Sequence, residues 1–151
     1  MQITRFTDLG LRVLMYLSAG GRADLATITE IADRLEVSRN HLVKVVHRLG
    51  QLQLIVTTRG KGGGIALARP AAQYRLGEVV RQLEENTTLI DCGTPPCVLR
   101  AGCRLKEALD AALQTFFSTL DDYTLADVVR QPTAASLITL RGFGTPGSAP
   151  A

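Results

Sequence analysis

The sequence predicts a mainly α-helical fold of the winged helix-turn-helix type, followed by a long C-terminal helix. Two short helical segments are joined by a turn at residues 36–38, which is the spacing of a helix-turn-helix. A hairpin with a glycine-rich tip at 59–64 follows, and apolar residues recur at helical spacing from 104 to about 130. The 151 residues are 46% hydrophobic and 21% charged, which is typical of a globular chain with a buried core.

The first three helices are predicted from apolar spacing and from capping residues. Residues 4–19 carry apolar side chains at spacings of 3, 4 and 4, which places them on one face of a helix. Thr29 is the predicted N-cap of the second helix. Ser38 is the predicted N-cap of the third helix, which is expected to run to about Gln51.

The remaining elements follow from β-branched runs, glycine and proline. Residues 54–58 and 65–68 are predicted to pair as two strands, whose turn forms a basic wing. A short helix is expected over 76–85. Residues 86–103 contain all three cysteines with two prolines and two glycines, so an irregular loop is expected there. Pro132 is expected to end the long helix.

The charge is distributed unevenly along the chain, although the total is only +3. Residues 1–81 hold 12 Lys and Arg against 6 Asp and Glu, a net of +6, whereas residues 82–130 hold 4 against 8, a net of −4. A basic first half predicts a polyanionic partner, with nucleic acid as the first candidate. Aromatic residues make up only 5% and Trp is absent, which disfavours stacking platforms for single-stranded bases.

Membrane and export signals are not expected in this sequence. No apolar run approaches the roughly 18 residues of a membrane span, and the start lacks the pattern of a signal peptide. We therefore expect a cytoplasmic protein without a membrane partner. Three cysteines are an odd number, which disfavours a disulfide framework and favours metal or thiol chemistry.

The third helix carries a polar face that suits the major groove of DNA. Asn and Gln can bond adenine, and Arg or Lys can bond guanine or phosphate. The helix N-terminus offers amide groups to a phosphate. A plain solvated face is the alternative, but the basic hairpin that follows favours DNA. The predicted DNA-binding residues of this helix are Ser38, Arg39, Asn40, His41, Lys44, His47, Arg48 and Gln51.

The wing adds two basic residues, Arg59 and Lys61, at a glycine-rich tip. Glycine lets the backbone approach a sugar-phosphate strand closely, so the tip is predicted to reach the minor groove or the backbone. A nucleotide-binding phosphate loop is disfavoured, because residues 60–64 lack the order G-x-x-x-x-G-K-[ST]. A flexible turn is the remaining alternative.

The three cysteines form the pattern C-x4-C-x5-C at Cys92, Cys97 and Cys103. Thiolates suit soft iron and zinc, and both zinc sites and iron–sulfur clusters usually have four ligands. The fourth ligand would be a carboxylate, a solvent molecule or a group from a second subunit. Such a site would leave one iron open to a small ligand. Three free thiols, two of them able to form a regulatory disulfide, are the alternative.

Several segments besides the cysteine loop carry a resemblance to a known family. They are residues 6–12 (FTDLGLR), 37–44 (VSRNHLVK), 59–64 (RGKGGG), 103–106 (CRLK) and 122–127 (DYTLAD). In these segments the chain resembles the winged-helix iron–sulfur transcription regulators that include IscR, and it resembles the NsrR branch of nitric-oxide-sensitive repressors closely. The resemblance covers the chain from Met1 to about Arg130.

The resemblance implies a homodimer whose long C-terminal helices pair. It implies one iron–sulfur cluster per subunit, with [4Fe–4S] favoured over [2Fe–2S], held by Cys92, Cys97 and Cys103. In the NsrR branch a carboxylate of the other subunit completes the site, and the matching residue here is Asp8. The IscR branch instead uses a histidine after the third cysteine, whereas this sequence has Lys106 in that region.

The function implied is that of a cluster-dependent repressor on double-stranded operator DNA, and not that of an enzyme. Nitric oxide would displace cluster ligands, lower operator affinity and derepress nitric-oxide detoxification genes. Arg12 lies one turn after Asp8 and is placed to pair with it when no cluster is bound. A regulator of the same fold that senses iron supply or redox state, through a two-iron cluster or free thiols, is the alternative. A redox or metal enzyme is disfavoured because no catalytic base, nucleotide motif or substrate pocket is recognisable.

These assignments divide the chain into four parts. Residues 1–85 are the predicted DNA-binding unit, 86–103 the cluster-binding loop, 104–131 the dimerisation helix and 132–151 a tail with a disordered end. One residue departs from the family pattern, because Gln53 stands where the family often has glycine before the first wing strand.

Overall fold

The computed structural model describes residues 2–19 and 25–140, and it confirms the predicted fold class, since the chain is mainly helical with a two-stranded antiparallel wing. The helices are α1 (Arg5–Ala19), α2 (Ile28–Arg34), α3 (Arg39–Gln51), α4 (Leu76–Leu83), α5 (Arg104–Asp121), α6 (Leu125–Val128) and α7 (Thr133–Leu140). The strands are β1 (Ile55–Thr58) and β2 (Gly64–Leu67), and a 3-10 turn spans Ala71–Gln73.

Helix α1 lies at the centre of the main core. Its apolar stripe is fully buried at Val13 and Leu17, and α3 contacts α1 and adds the buried Leu42 and Leu49 to the same core. Full burial of one such aliphatic side chain stabilises the fold by about 1.5–3 kcal/mol. Because the apolar side of α3 packs in this core, its polar side faces solvent.

The wing is a short hairpin with a third partner that the sequence did not predict. Strand β1 pairs antiparallel with β2, so that Ile55 faces Leu67 and Thr58 faces Gly64. Ala26 forms an isolated bridge with Ile65 on the other side of β2, through backbone bonds of 3.0 and 2.8 Å. The hairpin is therefore anchored to the segment before α2.

A smaller core joins α4 to α5. It contains Val80 from α4 with Leu113 and Phe117 from α5. Beside it, Arg81 donates to both carboxylate oxygens of Asp121, at 3.0 and 2.6 Å, and its guanidinium lies 4.5 Å from the ring centroid of Phe117. These contacts fasten the C-terminal half of α5 to the winged unit.

The predicted cap of the second helix was wrong. Thr27, and not Thr29, precedes α2, and Thr27 and Glu30 form a capping box. The hydroxyl of Thr27 accepts a hydrogen bond from the backbone amide of Glu30 at 3.1 Å. The Tyr16 hydroxyl donates a hydrogen bond to the Glu30 side-chain carboxylate at 2.7 Å. The register of α2 is thus fixed partly by α1, which local spacing cannot reveal.

The long C-terminal helix was predicted to reach about 130, but α5 ends at Asp121. Beyond it the chain pairs with the segment before α4, since Leu76 donates to the Tyr123 carbonyl and Leu125 donates to the Tyr74 carbonyl, both at 2.9 Å. The tail begins with helix α7, and the predicted disordered end at 142–151 lies outside the described residues.

The backbone at the end of α3 shows why the family often has glycine at the position that Gln53 occupies here. This residue has φ of +56°, in the left-handed region that glycine adopts most easily. The backbone turns there between α3 and β1, so the conformation is that of a glycine C-cap although the side chain is glutamine.

Candidate DNA-binding surface and metal centre

Helix α3 presents the predicted DNA-binding residues on its exposed side. The eight residues predicted on this helix and the two on the wing are all exposed. Ser38 occupies the N-cap position, but its side chain makes no capping hydrogen bond. Its hydroxyl and the first amides of α3 therefore remain accessible to a phosphate oxygen.

Arg48 differs from the other residues of this surface in its surroundings. Its Nη2 atom donates to the Gln82 carbonyl of α4 at 3.4 Å. The bond is long and therefore weak. In this conformation the guanidinium turns toward α4, so its predicted contact with DNA requires the side chain to move.

The wing tip is shaped by its glycines. Gly60 has φ of +98° and Gly62 has φ of +82°, both in the left-handed region. A Cβ atom on Gly63 would lie 2.2 Å from the Thr58 carbonyl oxygen, so only glycine fits there. The tight turn places the exposed Arg59 and Lys61 at the end of the hairpin.

The cysteine loop contains three free thiols. Cys97 is exposed, whereas Cys92 and Cys103 are half-buried. The amide of Cys97 donates to the Cys92 carbonyl at 3.2 Å, which closes a turn around the two prolines. Cys103 is the N-cap residue of α5, so the third thiol lies at the start of this helix.

Lys106 lies near this loop and interacts electrostatically with two of the thiols. Its pKa is raised, first by the hydrogen bond to Asp110 and then by the charge of Asp110, with smaller contributions from Cys92 and Cys103. The first and third cysteines thus lie within electrostatic range of one ammonium group, although they are eleven positions apart in sequence.

The donor types fit a soft metal, but the described residues of one chain do not bring them together. Within residues 2–19 and 25–140, no three His, Cys, Asp or Glu side chains are close enough together to hold a metal ion. Three free thiols on one irregular loop supply suitable ligands for iron or zinc. A centre at this loop would require the loop to close and a further ligand to come from elsewhere.

Asp8, the predicted fourth ligand, lies on the exposed side of α1 and is paired with Arg12. The distance from Asp8 Oδ2 to Arg12 Nη2 is 3.0 Å, and Arg12 Nε donates to Asp8 Oδ1 at 3.0 Å. The pairing expected from the i,i+4 spacing is therefore present. Both residues line a surface cavity that also includes Ser38 and His41 of the α3 region, so Asp8 lies beside the start of α3.

One exposed residue of α3 was not singled out from the sequence. Val43 is 44% exposed and lies among the polar residues of this surface. Its helical position, one turn from Asn40 and from His47, was the signal that could have identified it.

The described part of the chain contains no helix that is both long enough and apolar enough to cross a membrane.

Comparisons with known proteins agree with this architecture. The family described as Rrf2, iron-dependent transcriptional regulator, matches residues 3–131. Among solved structures, CymR (YrzC), the global cysteine regulator of B. subtilis, is similar with a TM-score of 0.71 and 22% identity, over 85% of this chain and 95% of that one. IscR of T. potens gives 0.70 and 22%, over 85% and 86%. The oxidized form of Staphylococcus aureus CymR gives 0.68 and 22%, over 86% and 97%.

Proposed function

The chain belongs to the Rrf2 family of DNA-binding transcriptional regulators, and from this premise we propose that it is an iron–sulfur-dependent repressor of the NsrR type. As a homodimer it binds operator DNA, and it releases the operator in response to nitric oxide. The observation that carries the proposal is the loop with Cys92, Cys97 and Cys103, whose three thiols are free and which joins the winged unit to α5.

On the DNA side, α3 enters the major groove and the wing follows the backbone toward the minor groove. Asn40, Lys44 and His47 are exposed on the N-terminal and central turns of α3, where base edges are within reach. Arg59 and Lys61 at the wing tip contact phosphates. In a dimer the two copies of α3 meet half-sites about 34 Å apart, or a multiple of that distance.

On the sensing side, Cys92, Cys97 and Cys103 would hold the cluster, and Asp8 of the partner subunit would complete it. When bound, a [4Fe–4S] cluster, favoured over [2Fe–2S], would supply iron that a small diffusible ligand such as nitric oxide can reach.

The chain's own residues couple this site to α3. The Asp8–Arg12 pair is exposed and follows i,i+4 spacing, so it contributes only about 0.3–0.5 kcal/mol and is broken easily. When Asp8 turns to the partner's loop, Arg12 is released beside Ser38 and His41. A coupling of roughly 3 kcal/mol between the two sites would change operator affinity by more than 100-fold.

The test is anaerobic native mass spectrometry of the full chain, combined with fluorescence anisotropy on an operator selected from a random DNA pool. We expect a dimer with one cluster per subunit that loses DNA affinity on addition of nitric oxide. Serine at Cys92, Cys97 or Cys103 should prevent cluster assembly, and Asp8→Ala should shorten cluster lifetime. Asp33→Ala, which removes an exposed carboxylate of α2, is the matched control and should leave the cluster unchanged. A protein that carries no iron under anaerobic conditions and still binds its operator would refute the proposal.

A thiol-based regulator is the second candidate. The turn that brings Cys97 to the backbone of Cys92 favours it, and so does the similarity to CymR, of which an oxidized form has been solved. In that case mild oxidation of the metal-free protein would change DNA affinity, and a Cys92→Ser variant would not respond. A two-iron cluster that reads iron supply would appear as a different iron and sulfide count in the same mass measurement.

A further inference from the structure

Helix α3 carries one apolar side chain outside the core. Of its five apolar residues, Leu42, Val45, Val46 and Leu49 are at most 6% exposed, whereas Val43 is 44% exposed. Nothing in the core pattern of α3 requires an apolar residue at this position, because the four buried residues already form the complete inner face. A β-branched residue is also a weaker helix former than alanine, by about half a kcal/mol.

The neighbours of Val43 are the polar residues assigned to the major groove. At about 100° per residue, Val43 lies about 40° around the helix from His47 and about 60° from Asn40. Residues at these spacings have Cβ atoms about 5–6 Å apart. Asn40, Lys44 and His47 are all exposed, so the four side chains form one continuous patch.

We infer that Val43 is a specificity-determining residue, which packs against the C5 methyl group of a thymine in the operator. This inference rests on the proposed docking of α3 in the major groove. The thymine methyl is the apolar group that the major groove displays, and small apolar side chains contact it. Asn40, one turn earlier, offers the amide that pairs with adenine. Because base pairs rise by about 3.4 Å, side chains about 5–6 Å apart reach bases one or two steps apart.

The half-site therefore contains a thymine read by its methyl group, within two steps of the adenine that faces Asn40. Such a contact discriminates thymine from cytosine without a hydrogen bond to the base. One helix then reads the operator in two ways. Asn40 recognises the hydrogen-bonding pattern of a base edge, and Val43 recognises the methyl group of a thymine.

The experiment replaces single thymines by deoxyuridine, which lacks only the methyl group. An operator is first selected from a random pool by the wild-type dimer, and each thymine of the half-site is then replaced in turn. With wild-type protein we expect one position at which the change weakens binding by about fourfold, and about sixteenfold when both half-sites are changed. Val43→Ala should bind the thymine operator about fourfold more weakly per half-site and should not distinguish deoxyuridine at that position.

Val56→Ala is the matched control, because Val56 is 48% exposed but lies on the wing strand β1. It should keep the wild-type response to deoxyuridine, and thermal melting should show that both variants are folded. If Val43→Ala keeps the full wild-type profile at every thymine, the inference is wrong although the proposed function stands. If the wild-type dimer enriches no sequence from the pool, the proposed function fails and the inference fails with it.

Discussion

The ion pair between Arg81 and Asp121 should contribute about 1 kcal/mol to folding, and a double-mutant cycle can isolate this contribution. The pair is bidentate, with donor–acceptor distances of 3.0 and 2.6 Å, which is the strong geometry for arginine and carboxylate. The Arg81 side chain is 38% exposed and the Asp121 side chain 31% exposed, so solvent screens the attraction. Exposed pairs contribute about 0.2–1 kcal/mol, and the bidentate geometry places this one at the upper end.

Two substitutions separate the parts of this contact. Asp121→Asn keeps the shape but removes the charge, and it should cost about 1 kcal/mol. Arg81→Met keeps the aliphatic stem but also loses the cation–π contact with Phe117, which adds about 0.5–1 kcal/mol to the loss. The double variant should therefore be more stable than the sum of the two losses predicts, by about 0.5–1 kcal/mol.

The assay is urea unfolding followed by circular dichroism, with metal-free reduced protein at one fixed concentration, because dimerisation would otherwise change the apparent stability. The i,i+4 pair of Lys106 and Asp110 on α5 is the control, and its coupling should be smaller than that of Arg81 and Asp121, because both of its partners lie on one solvent-exposed helix face. If the losses at Arg81 and Asp121 add to within about 0.3 kcal/mol, the pair does not stabilise the contact between α4 and α5.

Three further predictions concern Asp121, Gly77 and Tyr74. The pKa of Asp121 is lowered from its usual 3.8, chiefly by the hydrogen bond from Arg81, so its stabilisation is complete above about pH 4 and is lost as the pH falls through the lower folded value. Asp121→Asn should remove this acid dependence, which urea titrations at a series of pH values from about 2 to about 4 would measure. Gly77→Ala should cost about 1–3 kcal/mol, because the new Cβ would lie 2.8 Å from the backbone carbonyl oxygen of Phe117 as well as 2.2 Å from a carboxylate oxygen of Asp121, and an unchanged melting temperature would contradict the packing. Tyr74→Phe should cost about 1–3 kcal/mol in the same unfolding assay, because the buried hydroxyl donates to the Leu54 carbonyl at 2.7 Å; a loss below about 0.5 kcal/mol would contradict this.

The sequence by itself determined the features that repeat locally. The apolar period of α3 identified its buried side, and the β-branched runs around a glycine-rich tip identified the wing. The spacing of the three cysteines identified their loop as the candidate for metal or thiol chemistry. Each of these signals lies within about 15 residues of chain, so it does not depend on how distant segments meet.

The tertiary structure decided what depends on contacts between distant segments. Helix α5 stops at Asp121 because Tyr123 and the residues after it pair with the backbone before α4, although the apolar period continues past this point. The cap of α2 is Thr27 because its partner Glu30 is held by Tyr16 of α1. Hydrogen bonds and ion pairs between residues far apart in sequence override local periodicity, since the buried backbone must find partners wherever the fold supplies them. For the same reason spacing alone could not reveal that Asp8 and Arg12 lie beside the start of α3.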